Sequence, residues 1–145
     1  MTAKERSEKA KKYLKQIEKL DCRLARELRN LDKLRSSAEY RSPNFEGGCG
    51  SGSGDRLSES VSRIIEQEER VQQLTDTYTR KFLEIEHAIK ELGNDKQEEV
   101  LELRYLHYKK WEEIASIMKY SLENVYKLHG KALQKITAKD YIELQ

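Results

Sequence analysis

The sequence predicts an all-α protein: a long antiparallel coiled-coil helical hairpin followed by a small C-terminal helical domain. Three observations carry that expectation. Two stretches each repeat apolar residues at alternating steps of three and four, for four or five heptads apiece. Between them lies a short run dense in glycine and serine, beside the chain's single proline. After them, the apolar positions regroup into the short, closely spaced periods of a compact domain.

The first stretch is read as a helix over about 4–41. Ala10, Tyr13, Ile17, Leu20, Leu24, Glu27, Leu31, Leu34 and Ala38 line one face, and Glu27 alone in that series is polar. Residues 42–54 follow as a flexible connector, because Pro43 and the glycines of GGCGSGSG cannot continue a helix cheaply. The second helix is expected over 55–92, with Asp55 or Ser58 as its cap. Its face is Leu57, Val61, Ile64, Glu68, Val71, Thr75, Tyr78, Phe82, Ile85, Ile89 and Leu92. Seams of this length are the signature of coiled-coil packing, and neither helix is stable with its stripe in water.

Equal lengths, ~57 Å each at 1.5 Å per residue, suit a hairpin within one chain. Charge agrees. Residues 1–41 carry 13 basic and 7 acidic side chains, whereas 42–92 carry 6 and 10. Exposed pairs contribute little individually, so charge biases the pairing without securing it. Two helices bury little area, and two such hairpins are expected to associate as a homodimer through the coiled coil. Glu27, Glu68 and Thr75 are candidates to set the register.

Gly93 ends the second helix, and Asn94 or Asp95 caps the next. The domain organisation that follows is 1–92 for the hairpin and 93–145 for the C-terminal domain. There, Val100, Leu101, Tyr105, Trp111, Ile114, Met118, Val125, Leu128, Ala132 and Ile136 form the expected core. Trp111 opens a short helix and Ile114 and Ala115 face inward, the small Ala allowing close approach of the next helix. Met118 and Tyr120 flank a turn, and Ser121 stands where a Ser hydroxyl can cap the helix beyond. Two short helices joined by a tight turn, the second polar outward, make a helix-turn-helix that fits a major groove.

The runs VLELRYLHY, WEEIASIM, KYS and LENVYKLHGKAL resemble region four of the bacterial sigma factors, the module that reads the upstream promoter element. The whole-chain layout is similar to that of small phage proteins, including the ArpU- and RinA-type transcription regulators and a related phage family of unknown function. Two positions depart from the pattern. Lys119 stands at a turn position often held by Gly, and Leu122 replaces a residue that is usually basic. The promoter sequence read by ordinary sigma factors is therefore not carried over.

By that resemblance, Leu122, Glu123, Asn124, Tyr126 and Lys127, with Lys131 one turn on, face base edges and nearby phosphates. The chemistry agrees: Asn binds adenine bidentately, Glu accepts from cytosine N4, and Lys reaches guanine or phosphate. Lys109, Lys110 and the Ser121 hydroxyl suit backbone contacts. The span Arg104–Lys139 holds 8 basic and 3 acidic residues, the local positive field that phosphate binding needs.

Other chemistries find no support. Cys22 and Cys49 lack zinc or CxxC spacing, and His87, His107 and His129 are scattered, with surface or core-edge roles expected. No catalytic residue, metal or cofactor is expected. No apolar run reaches membrane length and no signal-peptide pattern opens the chain, so a cytoplasmic protein with no membrane partner is expected.

Together these features predict a non-enzymatic, sequence-specific DNA-binding regulator of transcription of phage or prophage origin. Its partners are double-stranded DNA and, at promoters, RNA polymerase. A lone region-four-like module is not expected to replace a sigma factor outright. Two readings compete: a phage DNA-packaging or recombination accessory, and a coiled-coil interaction factor that binds RNA polymerase.

Overall fold

The structure, a computed structural model, describes residues 2–41 and 53–137. Six α-helices follow in order: α1 (Ala3–Leu14), α2 (Gln16–Arg41), α3 (Ser53–Lys90), α4 (Asp95–Leu101), α5 (Trp111–Met118) and α6 (Leu122–Thr137). A π-helical segment, Glu102–Leu106, continues α4. No strand occurs among the described residues. The chain is thus an all-α protein built from a helical hairpin and a helix-turn-helix, as the periodicity predicts. Most of the connector, with Pro43, Phe45 and Cys49, lies outside the described residues, as do 138–145.

Three boundaries differ from expectation. The first helix is two, divided at Lys15, whose ψ of −9° departs from helical geometry although its N–H still donates to Lys11 O at 2.9 Å. α1 opens on a capping box: Thr2 Oγ1 accepts from Glu5 N–H at 3.2 Å and Glu5 Oε2 accepts from Thr2 N–H at 2.8 Å. The third helix already begins at Ser53, so neither Asp55 nor Ser58 is its cap. The helix ahead of the helix-turn-helix widens into the π-helical segment, where the sequence predicts a plain α-helix. Gly93, at φ +75°, turns the chain after α3. Asn94 caps α4, accepting from Lys96 N–H and Gln97 N–H at 3.1 Å each.

Contacts divide the chain into two units: Met1–Lys19 with Thr79–Gln145, and Leu20–Tyr78. The sequence draws its boundary at 92/93. In the first unit the core joins the base of the hairpin to the C-terminal helices. Ala10, Leu14 and Ile17 are fully buried, as are Ile85, Ile89, Val100, Leu101, Ile114, Val125 and Ala132. α1 packs along α6, where Gln134 Nε2 donates to Ala3 O and to Ser7 Oγ, both at 2.9 Å.

In the second unit, α2 and α3 pair antiparallel. The seam residues Leu20, Leu24, Glu27, Leu34 and Ala38 are half-buried and Leu31 is buried. On α3 the seam runs through Ile64, Gln67 and Val71: Leu57, Val61 and Glu68, which the heptad spacing places in it, are exposed, because the partner helix meets the neighbouring face. Gln67 is 6% exposed and its amide donates to Glu27 O at 2.9 Å and Glu27 Oε2 at 2.6 Å. That bond holds the Glu27 carboxyl below its ordinary range. Glu68 is exposed and pairs with Arg35 at 2.9 Å. The Thr75 hydroxyl donates to Val71 O in its own helix. Of the three residues expected to set the register, Glu27 is the one bonded inside the seam.

Candidate nucleic-acid interface

The turn between α5 and α6 is closed by backbone. Tyr120 N–H donates to Ala115 O at 3.0 Å, and Lys119 adopts the left-handed conformation at φ 59°, ψ 41°. For a side chain with a Cβ that conformation costs about 1–2 kcal/mol. This is the position where the sequence places Lys in a site often held by Gly, and Lys119 is exposed there. Ser121 starts α6: its Oγ accepts from Asn124 N–H at 3.1 Å, satisfying a donor of the first turn.

The face of α6 opposite the core carries most of the expected contact residues. Glu123, Asn124, Lys127 and Lys131 are exposed, and Leu122 is 37% exposed. Lys127 Nζ lies 3.5 Å from Glu123 Oε1, a pair one helical turn apart. Both partners are well exposed, so exchanging this pair for a phosphate or base is cheap. Tyr126 is 46% exposed and meets the Trp111 ring edge-on at 5.2 Å between centroids. Lys110 is exposed at the start of α5. Lys109 is half-buried, its carbonyl accepting from Arg104 Nη1 at 3.0 Å and its N–H donating to Leu103 O at 2.9 Å. The nine expected residues thus fall on two neighbouring stretches, 109–110 and 121–131.

An aromatic cluster beneath this surface holds the two helices together. His129 is 7% exposed; its ring lies 4.7 Å from that of Trp111 and 5.7 Å from that of Tyr105. The Tyr105 hydroxyl is 2.8 Å from His129 Nε2. Arg104 covers the other approach to Trp111, its guanidinium 4.4 Å from the ring centroid. Burial pushes the imidazole down to about 4, helped by the charges of Lys11 and Arg104, so His129 is neutral at physiological pH. Burial pushes the Tyr105 phenol up to about 12. In the tautomer that carries its proton on Nδ1, His129 accepts the phenol hydrogen.

Here the structure departs from the expected core. Leu128 and Trp111 are half-buried, and His129 takes the fully interior place. The signal was present in the sequence: Val125, His129, Ala132 and Ile136 step by four, three and four, the period of a buried helical face. Arg104 and its stacking on Trp111 had no comparable signal. Nor did Tyr108, which adopts φ 57° between the π-helical segment and α5.

Residues 88–138 match the family model for sigma-70, region 4. The match covers well under half of the chain and begins in the last turns of α3, where Ala88 and Ile89 are buried. The C-terminal part is therefore a sigma region-four-like helix-turn-helix domain. No curated protein and no solved structure matches the chain. Within the matched span, α5 and α6 are the helix-turn-helix pair, with α6 its second helix. Among the described residues no helix is long and apolar enough to cross a membrane, and no three His, Cys, Asp or Glu residues are grouped to hold a metal.

Proposed function

We propose that this chain is a non-enzymatic, sequence-specific DNA-binding regulator of transcription, of the phage or prophage kind, acting at promoters with RNA polymerase. The observation that carries the reading is the coincidence of the region-four match with a recognition helix whose outward face is polar and exposed. Asn124, Glu123 and Lys127 supply base-edge chemistry on the first turns of α6, with Leu122 and Tyr126 beside them for thymine methyl groups. Lys109, Lys110, Ser121 and Lys131 address phosphates. The phage assignment rests on the layout, a long helical N-terminal part before a lone region-four-like domain. Cytoplasmic location follows from the same role, and the hairpin joins two copies into a homodimer.

The test is DNA binding to fragments of the source genome at ~50 and ~200 mM salt, comparing the natural chain with an Asn124→Ala, Lys127→Ala double variant. Binding that is specific, weakens with salt and is lost in the double variant supports the reading. Binding to no fragment, or binding indifferent to the double variant, moves the function to the long helices and a protein partner.

A further inference from the structure

We infer that α1 is a second DNA-contacting element, its Lys12 and Lys15, with Lys11 beside them, holding the phosphate backbone next to the stretch that α6 reads. This contact rests on the DNA-binding role proposed above. α1 lies outside the region-four match, which begins at residue 88. It belongs nevertheless to the same unit and packs along α6. Ala10 and Leu14 are fully buried, so the apolar face of α1 is taken up by the fold and its charged face is turned out. The direction of the helix matters. Ala3 O and Ser7 Oγ accept from Gln134, near the end of α6, whereas the positive charge of Lys11 reaches His129, earlier in that helix. α1 therefore runs antiparallel to α6, and its last turn points toward the end that carries Glu123, Asn124 and Lys127. There Lys15 lines one hollow with Arg104, Tyr105 and Tyr108, and Lys109 and Lys110 follow next in the chain.

Charge names the partner. Residues 2–15 hold 6 basic and 2 acidic side chains, and Lys12 and Lys15 are exposed while Lys11 is half-buried. α4, which also packs on α6, has the opposite balance: residues 95–102 hold 1 basic and 4 acidic side chains. The unit is thus polarised across α6. A polyanion meeting this helix is drawn to the α1 side and repelled from the α4 side. Duplex DNA fits that pattern. A helix seated in a major groove about 12 Å wide has a sugar–phosphate strand on each flank. A neighbouring helix packed about 8–10 Å from its axis comes to lie over one of those strands. Two carboxylates interrupt the basic band. Glu8 pairs with Lys11 at 3.4 Å, both side chains partly exposed, and Glu18 lines the hollow at Lys15. An exposed pair of that kind contributes little and exchanges readily for a phosphate.

Salt titration of DNA binding by the full chain tests it, with a mixed-sequence duplex followed by fluorescence anisotropy between ~50 and ~200 mM salt. Lys12→Gln with Lys15→Gln should weaken binding to every sequence alike and lower the slope of log affinity against log salt by about two. Arg29→Gln with Lys33→Gln removes the same charge from exposed positions on α2 and should leave the slope unchanged. Lys12→Arg with Lys15→Arg should keep it as well. Circular dichroism reports whether the variants hold their helix content. Should the Lys12→Gln, Lys15→Gln chain lose it, a photo-crosslinker on Lys15→Cys decides, in a chain with Cys22 and Cys49 replaced by Ser. The duplex should crosslink from that position and not from Lys33→Cys. A slope that the α1 pair leaves alone, an equal drop from the α2 pair, or no crosslink from position 15 overturns contact by α1 while DNA binding by α6 stands. A natural chain that binds no duplex at ~50 mM salt overturns both.

Discussion

The two units of this chain treat their apolar residues differently. In the unit holding the region-four-like domain, Leu14, Ile17, Ile85, Ile89, Leu101, Ile114, Leu133 and Ile136 are almost completely covered. Between Leu20 and Tyr78, Leu31 and Gln67 are the buried residues among those described, and the rest of the seam is half-covered. The reason is geometric. Two helices shield only the stripe between them, whereas α1, α4, α5 and α6 close around a shared interior. The first unit carries its own core; the hairpin arm, residues 20–78, leaves apolar side chains such as Leu28, Leu57, Val61 and Ile65 exposed.

The sharpest way to break that comparison is to truncate one side chain in each unit. Leu133→Ala removes a side chain that is 1% exposed and should cost about 2–5 kcal/mol. Leu57→Ala, at 52% exposure, should stay within about 0.5 kcal/mol when measured on the dilute monomer. Denaturant unfolding followed by the single tryptophan, Trp111, reads the first directly, and circular dichroism reads the second. Equal losses would mean that the arm has a core of its own.

Acid separates the units next. His129 ionises at about 4 in the folded chain against an ordinary 6.5. Between these values the unfolded chain binds a proton that the folded chain refuses. Stability is therefore intact at neutral pH and is lost as pH falls from about 6.5 through about 4, by roughly 3 kcal/mol in all. Melting of the Trp111 signal against pH should show the loss, and His129→Gln should flatten it. A melting profile unchanged between pH 7 and pH 4.5 would contradict the buried, neutral imidazole.

Much of the fold was legible in the sequence, and the failures share a cause. Heptad spacing marked the seam of the first helix correctly from Ala10 to Ala38, because a two-helix seam obeys one period. It misassigned Gln67, since the step from Ile64 to Val71 can be made through either residue and only the partner helix decides. It also missed the packing of α1 on α6. Ser7 lies off the coiled-coil stripe, and nothing local shows that Gln134, more than a hundred residues away, bonds to it. The cap at Ser121 and the left-handed turn at Lys119 were readable because they depend on near neighbours. The burial of His129 depends on Tyr105, Trp111 and Arg104 coming together, which spacing alone does not report.

Smaller effects sharpen the contrast. Gln67→Ala removes the main bond holding the Glu27 carboxyl low, so that group should titrate closer to its ordinary value by NMR. The arm should also melt at a slightly lower temperature, since the bond across the seam is lost. An unmoved Glu27 would show that the seam bond is not made. Gly130→Ala acts in the other unit and with the opposite sign. An added Cβ there meets nothing within 4 Å, so α6 should gain about 0.5–1 kcal/mol. Destabilisation would reveal a close approach at that place.

The central claim is that α6 reads base sequence, and selection of bound duplexes from a random pool by the full chain addresses it most directly. A single enriched motif is expected. Asn124→Ala should relax the preference at one position of it, by about 1–3 kcal/mol. Lys131→Ala should weaken binding to all sequences alike and lower the salt slope by about one. A pool that shows no enrichment, or a motif and affinity that Asn124→Ala leaves unchanged, would contradict recognition by this helix.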